Sequence, residues 1–108
     1  MASTTLTPQR ATATALDFKK LLKRKRLPFR ALYLFGSYAK LKHRAWSDVD
    51  IAVVSNRFGK DFVRESVTLN ALADTINPLI QAHPIHPSHL KDKYSTLAEE
   101  IRRHGKKI

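Results

Sequence analysis

Two aspartates, Asp48 and Asp50, open a hydrophobic run, "DVDIAVV", at residues 48–54. Acidic residues are depleted in strands, and this chain has nine acids against 20 Lys and Arg. Residues two apart on a strand project to the same side. Asp48, Asp50 and Ala52 therefore share one face, and Val49, Ile51 and Val53 the other. The apolar face can seal against helices, leaving two carboxylates about 6 to 7 Å apart along the strand on the opposite face. Like charges in a partly enclosed place need compensation. A divalent cation supplies it, since Mg²⁺ is commonly held by one or two carboxylates with phosphate oxygens and water completing the shell.

Gly36-Ser37 offers the matching half. The pair follows one apolar run and opens a short segment, "SYAKLK", with room for one or two helical turns. Glycine lets backbone approach a ligand closely, and free N–H groups at a helix start, with the Ser37 hydroxyl, make an anion site. Each signal alone has a plainer account: a turn for Gly-Ser, and charges guarding a strand edge for the aspartates. Together, ten residues apart, they describe a site for a metal-bound triphosphate.

The elements that must hold these residues alternate. Thr7 is a helix cap with Pro8 at the first helical position. Ala11, Ala15, Phe18 and Leu22 recur at helical spacing, so the helix is expected over residues 8–25. "FRALYLF" (29–35) reads as a buried strand, "DVDIAVV" as a second, and "LIQAHPI" (79–85) as a third, with Pro84 suiting an edge or terminal position. Residues 56–60 read as a loop. Phe62, Ser66, Leu69, Ala73 and Ile76 share a face of a helix over about 61–77, stopped by Pro78. Ser88 is expected to cap a last helix with Leu90, Tyr94, Leu97 and Ile101 inward and Gly105 as its stop. The reading is a single α/β domain over residues 1–108, residues 1–7 disordered, with a small mixed sheet of about three strands flanked by helices.

Gly36-Ser37, ten residues, then Asp48-Val49-Asp50 resembles the nucleotidyltransferase signature of the DNA polymerase beta superfamily, and in particular its minimal nucleotidyltransferases, small one-domain proteins of this length. The resemblance implies a nucleotidyltransferase-like fold, with Mg²⁺ or Mn²⁺ on Asp48 and Asp50 as catalytic residues and triphosphate contacts from Gly36 and Ser37. It implies transfer of a nucleoside monophosphate from an NTP, ATP first among them, with release of pyrophosphate. It also implies a small helical HEPN-type partner, as in toxin–antitoxin systems. Lys40, Lys42 and Arg44, between the two halves of the motif, could neutralise the leaving pyrophosphate, although a solvated basic loop accounts for them as well.

Two positions depart from the family pattern. Leu41 stands where a second glycine is common. Active members also carry a third carboxylate on a later strand, and here the corresponding residue is Gln81. Glutamine offers a neutral acceptor without useful basicity, and residues 75–91 contain no acid. The alternative to a transferase is therefore a catalytically degenerate domain that still binds nucleotide or partner. His83 shares a face with Gln81 and could face the site. A zinc centre on His83, His86 and His89 is disfavoured by strand alternation and intervening prolines. Trp46 and Tyr33 read as packing residues, Tyr38 as a residue at the edge of the site, and Phe18 with Leu22 as core.

Composition bounds the rest. With 43% hydrophobic residues and 108 positions the chain can bury one core. It has no cysteine, so thiolate metal sites and disulfides are out, which suits a reducing cytoplasm. It has no apolar run of membrane-spanning length, and its first residues lack the pattern of a secretory signal. The formal charge of +11 favours a polyanionic or acidic partner. "KKLLKRKR" (19–26) concentrates six of the cations. They complement a helix C-terminus or form a docking stripe for RNA or an acidic protein, and a basic RNA-binding module is the third functional reading.

Overall fold

The computed structural model describes residues 7–40 and 48–108. Helix α1 (Pro8–Arg24) is followed by strands β1 (Ala31–Phe35) and β2 (Val49–Val54), helix α2 (Phe62–Asp74), strand β3 (Ile80–Ile85), a 3-10 helix (Pro87–Lys91), helix α3 (Thr96–His104) and strand β4 (Lys106–Lys107). The four strands form one mixed sheet in the order β3-β2-β1-β4. β1 pairs antiparallel with β2 and β4, and β2 pairs parallel with β3.

Helix α1 begins where expected. Thr7 accepts from the Arg10 N–H, and Pro8 needs no partner for its missing N–H. Of the residues 1–7 expected to be disordered, Thr7 is the cap of α1 and residues 1–6 lie outside the described residues. The helix ends in a reverse loop: the Arg26 N–H donates to the Lys23 carbonyl and the Leu27 N–H to the Leu22 carbonyl, both at 3.0 Å. This is the Schellman pattern, which needs a left-handed residue. Here it is Arg26, at φ 57°.

The pleat of the strands divides the core in two. Leu32, Leu34, Val49, Ile51, Val53, Ile80 and Ala82 point to one side, against Ala11, Ala15, Phe18 and Leu22 of α1 and Leu69 and Ala73 of α2. Phe35, Ala52, Val54 and Ile85 point to the other, against Ile101 of α3, with Leu90 and Leu97 beside them. The sheet is thus covered on both faces, and alternation along β2 assigns its side chains as the sequence implied.

Three expectations need correction. Phe62 is 64% exposed, at the first position of α2 directly after its Asp61 cap. Tyr94 is 94% exposed. Ser95, not Ser88, caps the last helix, so Tyr94 falls in the connection before it, while residues 87–91 wind into a separate 3-10 turn. Finally, the sheet has a fourth strand, Lys106–Lys107, whose side chains carry no strand pattern.

β3 is an edge strand, as Pro84 suggested. Asn70 of α2 lies alongside it. Its amide Nδ2 donates to the Ala82 carbonyl at 3.0 Å, and its Oδ1 accepts from the Ala82 N–H at 2.9 Å. The Ile80 N–H donates to the Asn77 carbonyl at 3.1 Å.

Candidate functional site

Strand register brings the motif together at one end of the sheet. Phe35 pairs with Asp50 across β1 and β2, which places Gly36, the next residue, beside the aspartate. Asp50 pairs in turn with Gln81 on β3. Asp50, Gln81 and His83 occupy the face that farther along carries Ala52, Val54 and Ile85. Because β2 is flanked by strands on both sides, the aspartates are not the guards of an open edge.

Gly36 is buried and adopts φ +75°, and a Cβ built there would lie 2.3 Å from Asp50 Oδ2. The residue has no side chain because the Asp50 carboxylate occupies that space. The chain then turns, with the Lys40 N–H donating to the Gly36 carbonyl at 3.1 Å. Ser37 is half-buried in this turn, and Tyr38 is a core residue rather than a rim residue, 2% exposed against the cluster under α1 and α2.

The second carboxylate oxygen of Asp50 meets His83: Nε2 lies 3.2 Å from Oδ1. The imidazole also packs edge-on against Phe35, with centroids 5.1 Å apart. Asp50 is thus bracketed by a backbone glycine and a histidine ring. Asp48 is exposed just before β2, and Gln81 is exposed beside Asp50.

Lys40 is taken up elsewhere. Its ammonium pairs with Glu100 of α3, tying the turn after β1 to the last helix. Lys42 and Arg44, with Leu41 and Trp46, lie outside the described residues. His86 and His89 do not join His83. His86 Nδ1 lies 2.8 Å from Ser88 Oγ, and its ring packs edge-on with His89 at 6.1 Å. Among the described residues no group of three or more His, Cys, Asp or Glu is arranged to hold a metal alone. The donors that are present, two aspartate carboxylates and the Gln81 amide oxygen, are hard oxygen ligands. They suit Mg²⁺ or Mn²⁺ arriving with phosphate oxygens that complete its coordination. The Asp50–His83 contact depends on pairing β2 with β3, and no local sequence pattern reports that register.

A mixed sheet between helices, with a glycine-serine turn opposite an aspartate pair, defines the nucleotidyltransferase class of α/β folds. The chain belongs to the family described as Polymerase beta, Nucleotidyltransferase, whose model matches residues 17–108. It is similar to a chain of a toxin–antitoxin crystal structure with AMP-PNP, with 26% identity and a TM-score of 0.61, covering 86% of this chain and 70% of that one. It shares the fold of a chain of the toxin–antitoxin MntA-HepT, with 22% identity, a TM-score of 0.56, and 89% and 69% of the two chains covered. It also shares the fold of a chain in the complex of the tri-AMPylated Shewanella oneidensis HEPN toxin with MNT antitoxin, with 22% identity, a TM-score of 0.55, and 90% and 70% covered. No curated protein matches the chain. Among the described residues no helix is long and apolar enough to cross a membrane.

Proposed function

We propose that this chain transfers a nucleoside monophosphate, AMP first among them, from an NTP to a hydroxyl of a helical HEPN-type protein partner in the cytoplasm. The observation that carries the reading is the placement of Asp50 between Gly36 and His83, with Asp48 two residues before it, at the entry to β2. The similarity to a toxin–antitoxin chain solved with AMP-PNP supports ATP as the donor and a toxin as the partner, and the AMPylated HEPN toxin of a complex with the same fold supports a protein acceptor.

Asp48 and Asp50 would hold Mg²⁺, which when bound neutralises phosphate charge and aligns the attacking and leaving oxygens. The Gly36-Ser37 turn would receive the phosphates through backbone N–H groups and the Ser37 hydroxyl. In the transfer, an acceptor oxygen bonds the α-phosphorus, the bond to pyrophosphate breaks, and the acceptor proton leaves to a base. With this geometry most of the rate comes from positioning and electrostatic stabilisation. Lys40, paired with Glu100, would contribute to phosphate only by exchanging partners. Lys42 and Arg44 remain the proposed pyrophosphate contacts.

Gln81 supports a second reading. It sits where register would aim a third carboxylate at Asp50, and it offers neither charge nor basicity. The second reading is a domain that holds Mg-NTP and its partner while transferring slowly or not at all. Incubation with ATP, Mg²⁺ and a candidate HEPN-type partner, followed by intact mass of that partner, tests the first reading. The expected result is one or more AMP increments that vanish in Asp48→Asn with Asp50→Asn, a variant expected to fold while losing metal-dependent NTP binding. Wild-type affinity for Mg-NTP in that double variant would overturn the site assignment. Binding of NTP and partner without increments would select the degenerate domain.

A further inference from the structure

At the opposite end of β1 from the aspartates lies a cleft of about 420 Å³ between the end of α1, the segment 27–31 and β4. Four cations line it, Lys19, Lys23, Arg30 and Lys107, over an apolar floor that includes Phe29 and Leu27. No acidic side chain lines it. Lys19 Nζ donates to the Ile108 backbone carbonyl at 2.9 Å, which fixes one ammonium at the rim. Lys23, Arg30 and Lys107 are exposed.

The charge around this cleft is one-sided. Residues 18–47 contain ten Lys and Arg and no acid, and Lys20, Arg24, Lys25 and Arg26 continue the field along the end of α1. Charge of one sign focused in a concavity attracts polyanions. The helix dipole accounts for cations in the last turn of α1. It does not account for Arg30 and Lys107, which come from different elements and converge on the same hollow.

We propose that this cleft binds the backbone of single-stranded nucleic acid, with phosphates on Lys19, Lys23, Arg30 and Lys107 and a base against Phe29. An aromatic ring among cations suits a nucleotide chain, whose bases stack while its phosphates pair. An acidic peptide would use the charges and leave the ring without a role. The five residues of β1, at about 3.3 Å each, separate this cleft from Gly36, so it is a second site and does not rest on the transferase reading.

The test is fluorescence anisotropy of the full chain with a labelled mixed-sequence RNA 12-mer across a NaCl titration. Single strands give a log–log slope of about −0.7 per phosphate contacted, so four cations predict a slope of about −2 to −3. Lys19→Gln, Lys23→Gln, Arg30→Gln and Lys107→Gln together should weaken low-salt binding at least about tenfold and flatten the slope by about 2. The milder pair Lys23→Gln with Arg30→Gln should flatten it about half as much. Removing four cations elsewhere, Arg57, Lys60, Lys91 and Lys93, should leave the slope in place. The proposal is overturned if the elsewhere-neutralised variant loses as much as the cleft variant, since net charge alone would then bind. It is overturned if the cleft variants keep wild-type slope and affinity. Equal affinity for a polyglutamate peptide of the same length, lost in the same variants, would reassign the cleft to an acidic protein and overturn the nucleic-acid proposal.

Discussion

Gly36 combines a backbone angle that side chains disfavour with a space already filled by Asp50 Oδ2. Gly36→Ala would meet both obstacles. The left-handed angle alone costs about 1 to 2 kcal/mol, and the new methyl must displace the carboxylate. The expected outcome is loss of Mg-NTP binding in calorimetry, together with lower stability in urea. Gly59→Ala is the matched control. Gly59 also has a positive φ, +101°, but its Cβ would approach only the His86 side chain, at 3.3 Å, so that variant should lose stability and keep binding. Retention of Mg-NTP binding by Gly36→Ala would show that the Asp50 position is unimportant. Gln81 is the other decisive residue. A carboxylate beside Asp50 would add charge to hold the metal and a group able to take the acceptor's proton. Gln81→Glu should therefore raise transfer at least about tenfold, or 1.4 kcal/mol of barrier. Brisk wild-type transfer that this substitution leaves unchanged would place the third acid elsewhere or make it unnecessary.

Among the elements, α2 shows how a short helix is started. Asp61 accepts from the Arg64 N–H, and Glu65 reaches back to the N–H groups of Gly59, Lys60 and Asp61 at 3.0, 3.3 and 3.3 Å. The Gly59 N–H contributes most to holding Glu65 below the ordinary value of 4.5; desolvation opposes it, and the Asp61 and Lys60 N–H groups assist. A carboxylate whose folded pKa is depressed stabilises the fold above its unfolded pKa, and that stability is lost as pH falls through the folded value. Thermal melts of Glu65→Gln should therefore lie below wild type near neutral pH, and the gap should close as pH falls below 4.5. The end of α1 gives the opposite case, since Arg26 holds a left-handed angle that glycine would adopt freely. Arg26→Gly should raise stability by about 1 kcal/mol, read from the urea midpoint. These local devices were only partly legible in sequence. Thr7-Pro8 announced the start of α1 because cap and proline act within one turn, and alternation assigned both faces of β2 because the pleat has a period of two. Tyr94 and Phe62 were misassigned because competing caps, Ser88 against Ser95, and the exposure of a first helical position are settled by packing. His83 was a candidate for the site face, but its contact with Asp50 and the existence of β4 were not legible, for a related reason. Both depend on register between strands distant in sequence, and a Lys-Lys strand has no apolar signal.

At the scale of the whole molecule, the sheet separates its two charged regions. Carboxylates gather where β1 ends and β2 and β3 begin, and cations gather where β1 begins. A metal-bound nucleotide and a polyanion could then be held without competing for the same groups, and Mg-NTP affinity should be unaffected by neutralising the cationic cleft. The outer side of β3 has a different consequence. Every second residue of that strand turns its backbone away from β2: the Ile80 N–H is taken by Asn77, both Ala82 groups by Asn70, and Pro84 has no N–H to offer. That side of the strand has no N–H left to give a neighbour's backbone, which hinders self-association through that edge. Asn70→Ala would reopen it, leaving two Ala82 groups to seek partners at a cost of about 1 to 3 kcal/mol. Combined with Pro84→Val, it should convert a protein that stays dispersed when concentrated and warmed into one that forms thioflavin-positive aggregates, with light scattering rising steeply with concentration. Unchanged scattering would mean that the flanking helix alone keeps neighbouring chains away.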